Sequence, residues 1–118
     1  MIKLIVAVVL IGIMSVSAYA AGYGAIAYSS GTRAYGYGVR FSTKAAAQNE
    51  ALSRCANYAR DCRVVTNFVN ACGSVAVGRD GGWGANWGTN RTAAERNALQ
   101  TCSNHDRGCR VVAWACSQ

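Results

Sequence analysis

The chain contains two copies of one short sequence pattern, and this duplication limits what it can fold into. KAAAQNEAL at Lys44–Leu52 is matched by RTAAERNAL at Arg91–Leu99. A cysteine follows each segment, at Cys55 and Cys102, and the tetrapeptide CRVV begins seven residues after each cysteine. The offset between the copies is 47 residues throughout this stretch. A match of this length predicts two structurally equivalent units.

Each copy has the pattern of two strands, a helix and a third strand. Ser42 or Thr43 is placed to cap the first helix, and Thr89 or Asn90 the second. Aromatic and β-branched residues between glycine-rich turns mark the strands. The expected strands are 23–28, 34–41 and 64–69 in the first copy, and 73–77, 83–87 and 110–116 in the second.

The two copies are expected to form one α+β domain. A unit of under about fifty residues buries the face of its own sheet poorly, so two tandem strand–strand–helix–strand repeats should close on one core. We predict a single domain over residues 21–118, with repeats at about 21–72 and 73–118.

The first twenty residues have the pattern of a signal peptide. Lys3 supplies the positive start, Leu4–Met14 is apolar apart from Gly12, and Ala18-Tyr19-Ala20 matches a cleavage site. An apolar run this short, at about 1.5 Å per residue, does not cross a hydrocarbon core of about 30 Å. The sequence therefore predicts no transmembrane anchor and a secreted or periplasmic location after cleavage.

All six cysteines follow the predicted signal peptide, which favours disulfides formed in an oxidising compartment. With no CxxC motif and one histidine, no metal or cofactor is expected. Equivalent positions of the repeat predict Cys55–Cys62 and Cys102–Cys109. The remaining pair, Cys72 and Cys116, is expected to end the strand after each CRVV and so to join the two copies.

The exported part of the chain is basic. Without Lys3, eleven basic residues, ten of them arginine, face five acidic residues, a net charge of +6. One interpretation is a solvated, soluble surface. The other is attraction to an acidic protein, an anionic envelope polymer or anionic lipid head groups. Nucleic acid is not expected as a partner, because export removes the chain from it.

No catalytic constellation is evident in the sequence. Ser103, His105 and Asp106 could form a triad on paper, but residues this close in sequence rarely converge on one substrate atom. The five acids suggest no carboxylate pair placed across a cleft; they are Glu50, Asp61, Asp80, Glu95 and Asp106. The triplet Asn90-Arg91-Thr92 matches a glycosylation site, but its position favours a helix cap. We predict that the protein is not an enzyme.

Aromatic residues alternate with glycine in the second strand of each copy. Tyr35 and Tyr37 are expected on one strand face, and Trp83 and Trp87 occupy the equivalent strand. These rings could fill the core beneath alanine-faced helices, or they could form an exposed binding platform. In the second interpretation, nearby arginines complete an interface hot spot. The candidate binding residues are Trp83, Trp87, Arg79, Arg91, Tyr35 and Tyr37, with the second copy favoured.

These motifs together resemble a known bacterial secreted family. YGAIAYS, the aromatic–glycine strand, the alanine-rich helix, CRVV, GSVAVG and GGWGANWG occur in that order. The order is similar to the family catalogued as domain of unknown function four-one-eight-nine, over Tyr23–Ser117. The resemblance implies a small exported domain with paired cysteines and carries over no catalytic residue.

The sequence favours an exported binding module without enzymatic activity. Its expected role is an inhibitor or immunity-type protein for a cell-wall hydrolase or a toxin. The alternative is an envelope-binding protein that holds peptidoglycan or an anionic surface polymer.

Overall fold

The computed structural model describes residues 21–118, and the predicted signal peptide at 1–20 lies outside the described residues. The eight elements follow the predicted order in both repeats. They are β1 (Tyr23–Tyr28), β2 (Tyr35–Phe41), α1 (Lys44–Ala56), β3 (Arg63–Val69), β4 (Cys72–Val77), β5 (Trp83–Gly88), α2 (Arg91–Ser103) and β6 (Arg110–Cys116). The prediction of two strand–strand–helix–strand repeats in an α+β fold is confirmed.

Each repeat forms one three-stranded antiparallel sheet, with strand orders β2-β1-β3 and β5-β4-β6. The first strand of each repeat is central because both of its neighbours pair with it. The inner faces of the two sheets meet in one buried cluster from both repeats, which includes Ile26, Tyr28, Phe68, Val75 and Val77. Each helix covers the outer face of its own sheet. The layers therefore run helix, sheet, sheet, helix.

Small residues allow each helix to lie directly on its sheet. Ala47, Ala51 and Cys55 are the buried residues of α1. A Cβ atom on Gly36 of β2 would lie 2.6 Å from the carbonyl oxygen of Ala51, so only glycine leaves room for the helix backbone. The alternation in β2 thus puts its glycines under the helix and its tyrosines on the other face.

The helix caps match the sequence pattern. The Thr43 side chain accepts a hydrogen bond from the Ala46 amide, and the Asn90 side chain accepts one from the Ala93 amide. An accepted bond of this kind satisfies one of the free N–H groups of the first helical turn. Asn90 therefore acts as the N-cap of α2.

The structure contains the three predicted disulfides: Cys55–Cys62, Cys102–Cys109 and Cys72–Cys116. The first two join the end of each helix to the start of the following strand. The third differs from the prediction in its placement, because Cys72 begins β4 and lies opposite Cys116 on β6.

The prediction that the Cys72–Cys116 bridge joins the two copies is therefore wrong. The first repeat's last strand ends at Val69, and the chain turns at Asn70, whose φ of 49° is left-handed. Cys72 lies beyond this turn and belongs to the second sheet. The equivalent pair of the first sheet, Tyr23 and Val69, is not covalent.

Candidate functional site

Two equivalent clefts lie between the second strand of each repeat and the end of its helix. The first cleft has a volume of about 520 Å³ and lies between β2 and the end of α1. Its side chains come from the first repeat alone and include Thr32, Arg33, Tyr35, Tyr37, Arg54 and Tyr58. The second cleft lies between β5 and the end of α2.

The second cleft has different side chains at equivalent positions. Trp83 and Ala85 of β5 take the places of Tyr35 and Tyr37, because Gly84 and Gly36 contact equivalent helix atoms between them. At the helix end, the 47-residue offset places Thr101 at the position of Arg54 and His105 at that of Tyr58. Ser30 and Val65 of the first repeat also line the second cleft. The two clefts share a backbone and have diverged in chemistry.

The first cleft presents three exposed tyrosines and two arginines. Tyr35 and Tyr37 are 41% and 42% exposed, and Tyr58 is 76% exposed. The Arg54 Nε donates to Glu50 Oε2 at 2.5 Å, an i, i+4 pair on the helix surface. This bond, together with the charge of Glu50, raises the pKa of Arg54 above its ordinary value. The cleft is thus an aromatic surface with fixed positive charge.

Arg33 of the first cleft has a backbone φ of 68°. A non-glycine residue in this left-handed region costs about 1 kcal/mol or more relative to glycine. Glycine or asparagine would adopt this conformation with less strain, and strained residues cluster at functional sites. The side chain of Arg33 is exposed beside Tyr35.

The four candidate residues of the second repeat do not form one surface. Trp83 is partly buried, with its ring centroid 5.6 Å from that of Tyr28. Trp87 is 50% exposed and lines a separate groove with Asn97. Arg91 lies at the start of α2, and Arg79 lies in the β4–β5 turn.

Arg91 is engaged at the start of α2. It donates to Glu95 at 3.0 Å, and its guanidinium lies 3.9 Å from the ring centroid of Trp114 on β6. Arg79 lies in the β4–β5 turn, where its amide donates to the Arg107 carbonyl oxygen at 2.9 Å. The hypothesis that these residues bind a partner stays a prediction, and the geometry favours Tyr35 and Tyr37, which share one cleft.

Both strand hairpins turn at the same end of the molecule, which we call the hairpin end. Ser30 of the β1–β2 turn and Asp80–Gly82 of the β4–β5 turn line the same cleft. Six exposed arginines lie in these turns, in the adjoining helix–strand segments or at the first position of β3 and β6: Arg33, Arg60, Arg63, Arg79, Arg107 and Arg110. Within residues 21–118, none of the six forms an ion pair.

Two aspartates of the hairpin end hold the turns together. The Ser29 hydroxyl donates to Asp61, and the Gly31 amide donates to it at 3.2 Å. The bond from Ser29, followed by backbone N–H donors and the nearby Arg63, lowers the pKa of Asp61 below its ordinary value. Asp61 thus connects the segment after α1 to the β1–β2 turn.

Asp106 does the same in the second repeat. It accepts from the amides of Asp80 and Gly82, both at 2.8 Å, and from that of Arg107 at 2.7 Å. The pKa of Asp106 is lowered, chiefly by the bond from the Arg107 amide. These carboxylates are engaged with the protein's own backbone and do not neutralise the neighbouring arginines through ion pairs.

Ser103, His105 and Asp106 do not form a catalytic triad in the structure. The Ser103 hydroxyl donates to the Leu99 carbonyl oxygen at 2.8 Å, and Asp106 faces the β4–β5 turn. Across residues 21–118, no group of three or more histidine, cysteine, aspartate or glutamate side chains is placed to hold a metal ion. In the same residues, no helix is long and apolar enough to span a membrane.

Comparison with known proteins agrees with the motif order seen in the sequence. The family model described as Domain of unknown function (DUF4189) matches residues 23–116. The chain belongs to this family. The NMR structure of Rv1813c from Mycobacterium tuberculosis is similar to this DUF4189 protein, with a TM-score of 0.61 and 28% sequence identity. That match covers 98% of this chain and 100% of the other. No curated protein matches the chain.

Sequence reasoning missed part of the first cleft of this DUF4189 domain. Tyr58 and Arg33 were not candidates, although both are exposed and line the cleft. One signal could have found Tyr58, because it lies in the turn directly after the predicted helix, two residues beyond the end of α1. Trp114, which stacks with Arg91, was also missed; it is 41% exposed.

Proposed function

We propose that this protein is an exported binding module, without enzymatic activity, for an acidic protein partner. An inhibitor or immunity-type role toward a cell-wall hydrolase or a toxin is its most specific form. The observation that carries the proposal is the hairpin end, where six exposed arginines lie and one of them, Arg33, lines the first cleft with its tyrosines. Arginine and tyrosine are enriched at the residues that contribute most to protein interfaces.

The charge of this end supports an acidic partner. Asp61 and Asp106 hold backbone amides, so the arginines around them keep their donors for another molecule. Six arginines against Asp61, Asp80 and Asp106 leave this end net positive. A net positive surface accelerates the approach of an acidic protein and favours it over neutral ones.

The proposed location is outside the cytoplasm. Three disulfides are compatible with an oxidising compartment, where such bonds form and persist. The signal-peptide pattern of residues 1–20 supports export to the periplasm or beyond the cell.

An anionic envelope polymer is the second candidate partner. Arg60 and Arg63 recur 47 residues later as Arg107 and Arg110, and both pairs lie at the hairpin end. Two similar sets of cations at one end suit an anion that repeats along a polymer. Isolated cell-wall sacculi therefore belong in the test.

The test is capture by the immobilised protein of residues 21–118, from secreted and periplasmic extract and from sacculi. The double variant Arg60→Gln, Arg107→Gln removes one arginine from each repeat at the hairpin end. The control, Lys44→Gln with Arg96→Gln, removes the same charge from exposed helix positions. We expect capture of a protein by the wild type and the control, and about tenfold weaker capture by the arginine variant.

Two results would overturn the leading proposal. Retention by sacculi alone would establish the polymer as partner. Equal loss of capture in both double variants would show that net charge, and not the hairpin end, determines the interaction. Thermal unfolding of each variant verifies that the substitutions leave the fold intact.

A further inference from the structure

We propose that the first cleft takes up an extended acidic segment of the partner, which adds as a strand to the free edge of β2. This inference rests on the proposed function, since it specifies how the acidic partner is held. The second cleft, although built on the same backbone, does not take such a segment.

The backbone of β2 has free groups at its outer edge. β2 is an edge strand. The Ser29 amide donates to the Ala34 carbonyl oxygen at 2.8 Å, and this bond fixes which residues of β2 face β1. Since antiparallel pairs alternate, Gly36 and Gly38 point their N–H and C=O groups at β1. Those of Tyr35 and Tyr37 point outward. No side chain of the described residues bonds to these outward groups, so they can pair with an incoming strand.

The edge of β5 is occupied at Trp87, two residues beyond the positions that correspond to Tyr35 and Tyr37. The Trp87 amide donates to its neighbour Asn86 at 2.8 Å, and the Asn97 side chain donates to the Trp87 carbonyl oxygen at 2.8 Å. At Trp83 and Ala85, the counterparts of Tyr35 and Tyr37, the side chains of Ser30 and Val65 from the first repeat line the cleft beside β5. Occupied groups at Trp87 and side chains of the first repeat beside Trp83 and Ala85 together disfavour strand addition at this edge.

The side chains of the first cleft specify the chemistry of the segment. On the helix face, a Cβ atom on Gly36 would lie 2.8 Å from the Arg54 Cβ, so Arg54 flanks the strand there. Glu50 accepts from its Nε and leaves the terminal guanidinium nitrogens for a carboxylate. On the opposite face, Tyr35 and Tyr37 offer exposed rings. The fitting segment alternates acidic residues with apolar or β-branched ones.

A second copy of this chain fits the edge poorly. Pairing β2 with β2 would bring Arg33, Arg40 and Arg54 of both copies to one interface. Like charges placed opposite each other in a sheet are destabilising. Charge complementarity therefore favours an acidic segment as the occupant.

The test uses a synthetic peptide of about eight residues, the length of an ordinary strand, that alternates glutamate with valine or threonine. Its control is the same peptide N-methylated along its protein-facing edge, which keeps the charge but removes the strand donors. Hydrogen exchange is measured by NMR on the ¹⁵N-labelled protein of residues 21–118. At saturation we expect exchange of the Tyr35 and Tyr37 amides to slow about tenfold, and that of Trp83 and Ala85 to be unchanged.

Side-chain variants test the assignment of charge. Arg54→Gln should weaken peptide binding about tenfold, because a hydrogen bond to a charged group is lost. Arg96→Gln, with the same loss of charge on α2, should bind as the wild type does. Glu50→Gln should bind at least as tightly as the wild type, since a competing carboxylate is removed.

Three results would overturn the inference: equal binding of the N-methylated peptide, protection of β5 in place of β2, or no binding of the peptide at millimolar concentration. A dimer whose Tyr35 and Tyr37 amides are protected without peptide would also do so. None of these affects partner capture through Arg60 and Arg107. Failure of strand addition is thereby distinguishable from failure of the proposed function.

Discussion

At the scale of single residues, Asp61 and Asp106 connect the turns of the hairpin end in their ionised form. Hydrogen bonds from Ser29 and from backbone amides lower the pKa of both carboxyls in the folded protein. A carboxyl with a lowered folded-state pKa contributes stability that is fully present above its unfolded pKa of about 4. That stability is lost as the pH falls through the folded-state pKa.

We therefore expect the melting temperature to fall with pH below about 4, and the double variant Asp61→Asn, Asp106→Asn to show a shallower fall. Thermal unfolding between neutral pH and strong acid measures both. Asp80→Asn is the control, because the Asp80 carboxylate accepts no hydrogen bond from the described residues. If the melting temperatures of the double variant and the wild type fall in parallel as the pH is lowered below about 4, the two turns do not depend on these charges.

Residue roles set by local sequence were predictable, and roles set by tertiary neighbours were not. Asn90 was one of two predicted caps, with Thr89, because its position before a helical pattern determines its partner. The burial of Trp83 depends on Tyr28, more than fifty residues away, which alternation along one strand does not reveal. Tyr35 and Tyr37 were placed on one face correctly, but their cleft also needs Arg54 from the helix above.

At the scale of elements, each helix is seated on a glycine. A Cβ atom on Gly84 of β5 would lie 2.7 Å from the Cys102 Cα, just as one on Gly36 would meet α1. Gly81 differs: it has a φ of 87° and nothing within 4 Å of the added atom. Gly36 and Gly84 are therefore required by the close approach of a helix, whereas Gly81 is required by its backbone conformation.

We expect Gly36→Ala and Gly84→Ala each to lower the free energy of unfolding by about 3 kcal/mol or more, since overlap is with backbone that cannot turn aside. Gly81→Ala, which meets only the cost of a left-handed alanine, should lose about 1 kcal/mol. Denaturant unfolding of the three variants measures these differences. Equal losses at all three positions would show that the helices do not rest on the glycines.

The order of elements could be predicted from the duplication, but the position of the junction between β3 and β4 could not. The 47-residue offset predicted the helices and the strand after each CRVV. It does not extend to β1 and β4, because Tyr23 and Cys72, which lie opposite Val69 and Cys116, are 49 residues apart (72 − 23). The first repeat also turns at Asn70, before Cys72. Cys72 was therefore assigned to the end of one strand, although it begins the next.

At the scale of the whole molecule, the two repeats depend on one another. The Phe68 ring of the first repeat lies against the backbone of Gly24 in its own sheet and of Gly73 in the other. One ring thus fills the space left by a glycine in each sheet, and neither sheet alone could bury the ring. This shared core explains why the two repeats form one domain, although no disulfide crosses between the sheets.

The three disulfides differ in loop length and are otherwise closely matched. Each joins a fully buried cysteine, Cys55, Cys72 or Cys102, to one that is partly buried. The sequence separation is 44 for Cys72–Cys116 and seven for the other two. In the chain-entropy model these separations correspond to about 4 and about 2 kcal/mol of stabilisation.

Replacing Cys72 and Cys116 together with alanine should therefore lower the melting temperature most. We expect a drop about 10 °C larger than for the alanine pair at Cys55 and Cys62, because 1 kcal/mol corresponds to about 4–8 °C in a domain of this size. The loss of buried sulfur is similar in the two variants, so the difference reports the constraint on the unfolded chain. Differential scanning calorimetry of both variants and of the fully reduced wild type measures it. An equal or larger drop at Cys55 and Cys62 would show that the bridge at the end of α1 stabilises the native packing itself, independently of loop length.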